Sequence, residues 1–518
     1  MAVWKIFTSG NWNDATKWTG GVPNATGAVA DFSVSTAGSL TALILFEENE
    51  TFTISTLNIF TDADDGWALR RDTGVTTASL RFIGNGGPAF LTADTSGSVR
   101  ASSISVDVVL VTDLIATMNH VDTFLSIAGQ LSGSGDLYRY GAGTLQLIGN
   151  NSTWGGDAYL FGGRTEIALS TGLGGAVIEF KNGAQLAAAE SLTLSNQIEI
   201  GRGGASGAIL AESGKTLTLS GTLVSASNLD TGLTLGGATG PGTIILTGTA
   251  SFTGTGGVTI GGGIVRLGSD SVALNYFSRI SDTGLLQIAS GGTLDTAGRI
   301  AELKNFDLDG GTLLSSSGTL QVLVNDVTSG LNLQTGTIQG TGGADQLIVN
   351  VRTNFDISTT IFTNWTNGTD TITVLGNSAG NLLIGSSQND VLAGNDGNDT
   401  LKGNGGADIL IGRSGGDTFS FTTALGGGNV DRIVDFLGGS DKIALDDAVF
   451  TGIGAPGALA AGAFVTGTAA GDADDRIIYN STTGELFFDA DGNGATAAIL
   501  FATLDTKPAL SAADFAVI

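Results

Sequence analysis

Apolar residues in this chain fall in short runs of four to six, alternating with Thr, Ser or Gln and cut by Gly and Asn. That is strand-and-turn patterning. Strands recur from about residue 76 to about 339 without helical periodicity. GTLQLIGNNSTWGGDAYLFGGRTEIAL (143–169) and GTIILTGTASFTGTGGVTIGGGIVRL (242–267) share one order: GT, strand, turn, strand, glycine cluster, strand. GGTLDTAGRIAELKNFDLDGGTLLSSSGTL (291–320) repeats the theme. Similar strands joined by short turns predict a right-handed parallel β-solenoid, in which each coil buries its apolar face only against its neighbours. An antiparallel sandwich array is the alternative.

Towards the C-terminal end the period shortens to nine. GNSAGNLLI (376–384), GSSQNDVLA (385–393), GNDGNDTLK (394–402), GNGGADILI (403–411) and GRSGGDTFS (412–420) each begin with glycine and carry an apolar residue eighth. Asp390, Asp399, Asp408 and Asp417 stand sixth, and Asn381 takes that place in the first unit. Six residues rich in Gly and Asn can make a tight turn through positive φ, and the last three can form a strand. Stacked turns would gather carboxylates and carbonyls about one point. Six to eight oxygen donors in irregular geometry suit calcium better than magnesium. A glycine-rich solvated loop is the bland alternative.

Composition points the same way. The 49 acidic residues against 22 basic ones leave a formal charge of −27. That excludes the basic patches of a nucleic-acid binder and makes cations the natural partners. There is no cysteine, so disulfides and cysteine nucleophiles are excluded. MAVWKIFTSGNWND lacks the apolar core of a cleaved export signal, and no run of 18 apolar residues predicts a membrane span.

The nine-residue units closely resemble the RTX nonapeptide repeat, G-G-x-G-x-D-x-U-x. Two such units make one coil of a parallel β-roll in that family, so the resemblance implies ligands paired at a spacing of eighteen: Asp390 with Asp408, Asp399 with Asp417, and Asn381 with Asp399. It also implies carbonyl ligands at the second and fourth places, Asn395, Gly397, Asn404 and Gly406, and a weakened site at Asn381. GTGGADQLI (340–348) would begin the roll, with Asp345 sixth. DRIVDFLGGSDKIAL (431–445), residues 475–504 and the terminal ALSAADFAVI resemble the ends of RTX proteins exported by type I secretion, whose signal is C-terminal and uncleaved. Asp489, Asp491 and Asn493 match the first half of an EF-hand loop but lack its closing Glu, since Leu500 stands there. They form either a calcium loop outside a helix or a plain acidic turn.

The N-terminal repeats resemble β-strand repeats of autotransporter passenger domains. The expected organisation is a Trp-rich cap (1–75), a solenoid (76–339), a calcium-binding roll (340–430) and a C-terminal β cap with the export signal (431–518). Trp4, Trp12 and Trp18 are expected to cover the first coil; a carbohydrate platform is the alternative.

Little predicts catalysis. His120 is the one histidine, which excludes an H-E-x-x-H metalloprotease. GNSAG (376–380) and GRSGG (412–416) match G-x-S-x-G but lie inside the repeats rather than at a strand–helix elbow. Asp62, Asp64 and Asp65 read as a solvated acidic loop, and the basic residues a polysaccharide lyase would use are scarce. The expected function is a secreted, calcium-dependent structural protein that assembles with itself at a cell surface and contacts surface polysaccharide. Non-enzymatic RTX proteins of this kind resemble surface-layer subunits. A matrix fibre or adhesin, or a polysaccharide-active β-helix enzyme, are the alternatives.

Overall fold

A computed structural model describes residues 2–4, 10–32, 41–47, 50–61, 66–71, 77–95, 101–200, 207–225, 232–237, 241–252, 257–268, 285–304, 306–327, 333 and 335–518. Asp62, Asp64 and Asp65 lie outside them. The described residues are all-β, with three 3₁₀ turns and no α-helix, and no helix is long and apolar enough to cross a membrane. The chain divides into two compact units, Met1–Gly284 and Leu285–Ile518.

The first unit is a parallel solenoid. Leu114 pairs with Leu137, Leu137 with Ala158 and Ala158 with Ile178. Hydrogen bonds between these coils span sequence separations of 23, 21 and 20 in the same order. Alternation drives this stacking. Every second residue of Leu114–Met118, Leu137–Tyr140 and Ala158–Leu160 is buried and its neighbours half-buried, as the two-residue period of a strand requires. Parallel, in-register pairing then lines like positions into continuous rows. One such row runs Leu91, Ala116, Arg139, Leu160, Phe180.

Arg139 is the anomaly in that row. Its guanidinium contacts the carbonyls of Gly141, Gly143 and Gly162, and burial lowers its pKa to about 10. Backbone carbonyls can hold a buried cation because the turns present them inward, although Gly143 O also accepts the Arg164 N–H at 3.1 Å.

The N-terminal end is closed by tryptophan. Ala2–Trp4 pairs parallel with Val29–Phe32 on one side and antiparallel with Trp18–Thr19 on the other. Trp4, Trp12 and Trp18 are almost completely buried, with ring centroids 5.0 and 5.2 Å apart in edge-to-face contact. Phe32, Phe46, Phe52 and Trp67 complete the cluster. The Trp18 indole donates to the Trp12 carbonyl at 2.8 Å. Buried in this way, the three rings offer no exposed face to a sugar.

In the second unit the coil contracts. Gln321 pairs with Gln346 and Gln346 with Thr371, and the hydrogen bonds joining those coils span a separation of 25. Val391 then pairs with Ile409, Leu382 with Thr400 and Thr400 with Thr418, where the separation falls to 18. Each of these shorter coils has two short parallel strands on opposite faces. Leu383, Leu392, Leu401, Leu410 and Phe419, the eighth residues of the five units, are fully buried between them. Beyond the repeats, Lys442–Leu445 and Phe515–Val517 extend one face. On the other, Asp431–Ile433 pairs with Ile499–Leu504, which continues antiparallel to Glu485–Phe488 and Ile477–Asn480. Phe421, Phe450, Phe488 and Phe501 form an edge-to-face aromatic core beneath this cap.

Candidate metal centre

The nine-residue register places the sixth residues of alternate units one above the other, and the chain links them by one repeated hydrogen bond. The Asp390 N–H donates to Asp408 Oδ1 at 2.8 Å, and the Asp408 N–H donates to Asp431 Oδ1 at 3.1 Å. On the opposite face Asn381 donates to Asp399, Asp399 to Asp417 and Asp417 to Asp441, at 2.7, 2.9 and 3.0 Å. The three pairs expected at a spacing of eighteen are thus brought together. The same bond joins Leu320 to Asp345 and Asp345 to Asp370 at 2.6 and 2.9 Å.

Asp370, Asp431 and Asp441 were not singled out in the sequence. Each has an apolar residue two places on, Ile372, Ile433 and Ile443, all fully buried. The signal was therefore present. It was hidden because WTNGTD lacks the leading glycine, because five residues intervene before GGGNVD, and because FLGGSD begins with Phe.

What becomes of the side-chain oxygen that faces the turn divides these residues, Asp431 aside, into two classes. Asp390 Oδ2 accepts the Ser386 N–H at 2.6 Å, and the Ser386 hydroxyl lies 3.1 Å from both its oxygens. Asp345 takes the Thr341 N–H and hydroxyl at 2.6 and 2.8 Å. Asp370 takes the Thr366 N–H, Asp441 the Leu437 N–H at 2.7 Å, and Asn381 Oδ1 the Asn377 N–H at 3.0 Å. Asp399, Asp408 and Asp417 differ: each is 1% exposed and its Oδ2 has no hydrogen-bond partner among the described residues.

The backbone explains the division. Asn395 and Asn404, in second place, have φ of 75° and 71°, and Gly397 and Gly406, in fourth place, 118° and 121°. Arg413 and Gly415 repeat this at 70° and 146°. Asn and Gly enter that region at little strain. The turn then folds away from its own aspartate, and the second-place amides reach the preceding coil: Asn395 Nδ2 donates to Gly376 O at 2.6 Å and Asn404 Nδ2 to Gly385 O at 2.7 Å. The leading glycine is dictated by close approach. A Cβ at Gly403 would stand 2.1 Å from Asp408 Oδ2, and one at Gly412 2.3 Å from Asp417 Oδ2.

A buried carboxylate without a partner is costly. Burial pushes Asp390 up to about 7 and Asp417 up to about 6. Burial also raises Asp399, Asp408 and Asp431; for Asp408 the facing Asp431 and Asp390 carboxylates add to it. No ion pair among the described residues joins Asp399, Asp408 or Asp417 to a basic side chain. No group of three or more His, Cys, Asp or Glu side chains among the described residues is placed to hold a metal ion by itself. The available donors are therefore carboxylate oxygens and turn carbonyls, the all-oxygen set of a hard cation. Of the expected carbonyl donors, Asn404 O already accepts the Thr423 hydroxyl.

The other candidate residues fall elsewhere. Asp489 Oδ1 accepts the Asp491 N–H at 3.3 Å, Asp491 Oδ2 accepts the Thr496 N–H and hydroxyl at 3.1 and 2.9 Å, and the Asn493 N–H donates to Asp472 O at 2.9 Å. That loop is closed by its own hydrogen bonds, although Asp491 Oδ1 remains unpartnered. His120 is half-exposed in a turn, its Nδ1 accepting the Asp122 N–H at 3.3 Å. Ser378 lies in the turn before Leu382–Ile384 and Ser414 ends the strand Ile409–Ser414.

A family model, the RTX calcium-binding nonapeptide repeat in four copies, matches residues 384–419. The match spans the three unpartnered carboxylates and the closed turn at Asp390. The repeats are calcium-binding repeats of that type. No curated protein matches the chain.

Proposed function

We propose that this chain is an exported structural protein whose roll is completed by calcium and which assembles with copies of itself at a cell surface as a surface-layer subunit. The observation that carries the reading is the trio of buried, unpartnered carboxylate oxygens at Asp399, Asp408 and Asp417. Asp399, Asp408 and Asp417, with carbonyls of their turns, would hold the metal. Calcium bound there supplies the positive charge that the fold lacks, and its binding free energy becomes folding free energy.

Extracellular calcium modules work at roughly 10⁻⁴–10⁻³ M, so the roll would fold outside a cell and stay open in a calcium-poor cytosol. An open roll suits passage through a type I exporter. The acidic surface would meet neighbouring copies, or anionic surface polysaccharide, through bridging cations. We assign the chain no catalysis: its histidine and both serine motifs sit in turns and repeats rather than at a nucleophile elbow.

Negative-stain electron microscopy of the purified chain, with millimolar calcium and then in chelator, tests the proposal. Ordered arrays that need calcium support it. Calcium-dependent filaments or cell clumping would replace the lattice by a matrix fibre or adhesin. Dispersed molecules in both conditions, with cleavage of uronic-acid polymers, would overturn it in favour of an enzyme.

A further inference from the structure

We infer that calcium enters only three turns of the roll, residues 394–399, 403–408 and 412–417, and that serine, threonine or a main-chain amide stands in for the metal in turns 340–345, 365–370, 376–381, 385–390 and 436–441. The inference rests on the calcium reading above and goes beyond it by dividing one repeat array into sites and non-sites. All these turns share the sixth-place residue and the hydrogen bond between coils. They differ in whether Oδ2 is already satisfied.

In turn 385–390 the Ser386 N–H and hydroxyl occupy the Asp390 carboxylate. The same hydroxyl accepts the Gln388 N–H at 3.0 Å, locking the second residue to the fourth. Thr341 does both for turn 340–345, accepting the Gly343 N–H at 3.2 Å. Asn377 accepts the Ala379 N–H at 2.8 Å in turn 376–381. A turn locked in this way has no oxygen waiting for a cation.

Opening takes two residues together. The second must reach positive φ, as Asn395, Asn404 and Arg413 do. The fourth must be a glycine in the wide left-handed region that Gly397, Gly406 and Gly415 occupy, at φ of 118°, 121° and 146°. Ser386 with Gln388, and Asn377 with Ala379, fail the second condition, while Thr341 and Thr366 fail the first. The sequence rule is thus narrower than an aspartate every nine residues. Coils on the N-terminal side of Asp399 are ordered without metal and offer a finished edge on which the calcium-dependent coils stack.

The test is calcium stoichiometry of the full chain, by titration calorimetry and native mass spectrometry with calcium alone as ligand. Ser386→Asn combined with Gln388→Gly converts turn 385–390 to the open type, and one additional ion is expected. Asn395→Ser with Gly397→Gln closes turn 394–399, and one fewer is expected. An unchanged count in both variants, with calcium still bound, overturns the division and leaves the calcium reading standing. No calcium bound by the unaltered chain overturns that reading itself. If a variant does not fold, hydrogen exchange of the unaltered chain in chelator decides. Protection at Ser386 and Thr341 with loss over 394–420 supports the division, and equal loss in both overturns it.

Discussion

The solenoid of the first unit and the roll of the second both stack parallel coils, and both use aspartate to tie one coil to the next. In the solenoid the Asp136 N–H donates to Asp113 Oδ1 at 3.1 Å, the Asp157 N–H to Asp136 Oδ1 at 2.9 Å and the Val177 N–H to Asp157 Oδ1 at 2.9 Å. Those carboxylates are exposed or half-buried, so water satisfies what the chain does not. In the roll the bond runs in the opposite chain direction and the carboxylates are buried. A similar contact is therefore structurally complete in one region and leaves an unmet charge in the other. The buried cation Arg139 makes the complementary point, because its own turns supply the carbonyls that hold it. Burial of the carboxylate sets the difference, since Asp345 and Asp370 are buried as well although the bonds between their coils span 25 residues. The coils of the solenoid bury several apolar side chains each, whereas the contracted coils of the roll bury little apolar surface beyond their two eighth-place residues and rely on metal for the rest.

Removing calcium should break the comparison most visibly. In chelator, residues 394–420 are expected to become protease-sensitive and to lose amide protection while the first unit keeps both; equal resistance with and without calcium contradicts this. Trp12→Ala should act in the reverse sense. It should lower the stability of the first unit by about 3–5 kcal/mol, as large-to-small core changes do, with the same shift at any calcium concentration in thermal melts.

Gly403→Ala should weaken calcium binding by about 1–3 kcal/mol, because the added methyl meets Asp408 Oδ2 in a packed site. Calorimetry of that variant sharpens the contrast with glycines whose added Cβ meets nothing, such as Gly87.

pH supplies a fourth test. Asp390, Asp399, Asp408, Asp417 and Asp431 have folded pKa values raised by burial above the unfolded value of about 3.9. The unfolded chain therefore releases their protons first, and the metal-free roll loses stability as pH rises through about 6 for Asp417 and about 7 for Asp390. Acid should stabilise the roll in chelator and weaken it in calcium, where protons compete for the ligands. Melting curves at pH 5 and pH 8 that do not cross over between the two conditions would refute this. Asp136→Asn, last and smallest, should change stability by less than about 0.5 kcal/mol, since that carboxylate is solvated.

Much of this was legible in the sequence. The shift from long repeats to a nine-residue register, the buried eighth residues and the pairing at eighteen all follow from periodicity, which stacking preserves. Asp370, Asp431 and Asp441 were hidden because their turns keep the sixth and eighth places but lose the leading glycine or the tandem spacing. The open and closed turns were hidden for another reason. Ser386 and Asn395 occupy equivalent places, and only backbone dihedrals reveal that one binds its own aspartate while the other turns away. The burial of Trp4, Trp12 and Trp18 depends on Phe32, Phe46 and Phe52 arriving from later coils, which no local pattern records.

The contraction of the coil also makes the roll a polyelectrolyte. Strands in a sheet lie about 4.8 Å apart, and each coil presents one carboxylate on each of two faces. The rod thus carries one ionisable group per about 2.4 Å of axis, not far from the one charge per about 1.7 Å of duplex DNA. Burial holds protons on these groups towards neutral pH, at about 6 for Asp417 and about 7 for Asp390, so calcium must displace protons to enter. Its apparent affinity is then a property of the surrounding acidity as much as of the site, and the same sequence would close its roll at lower calcium in alkaline water than in acid water.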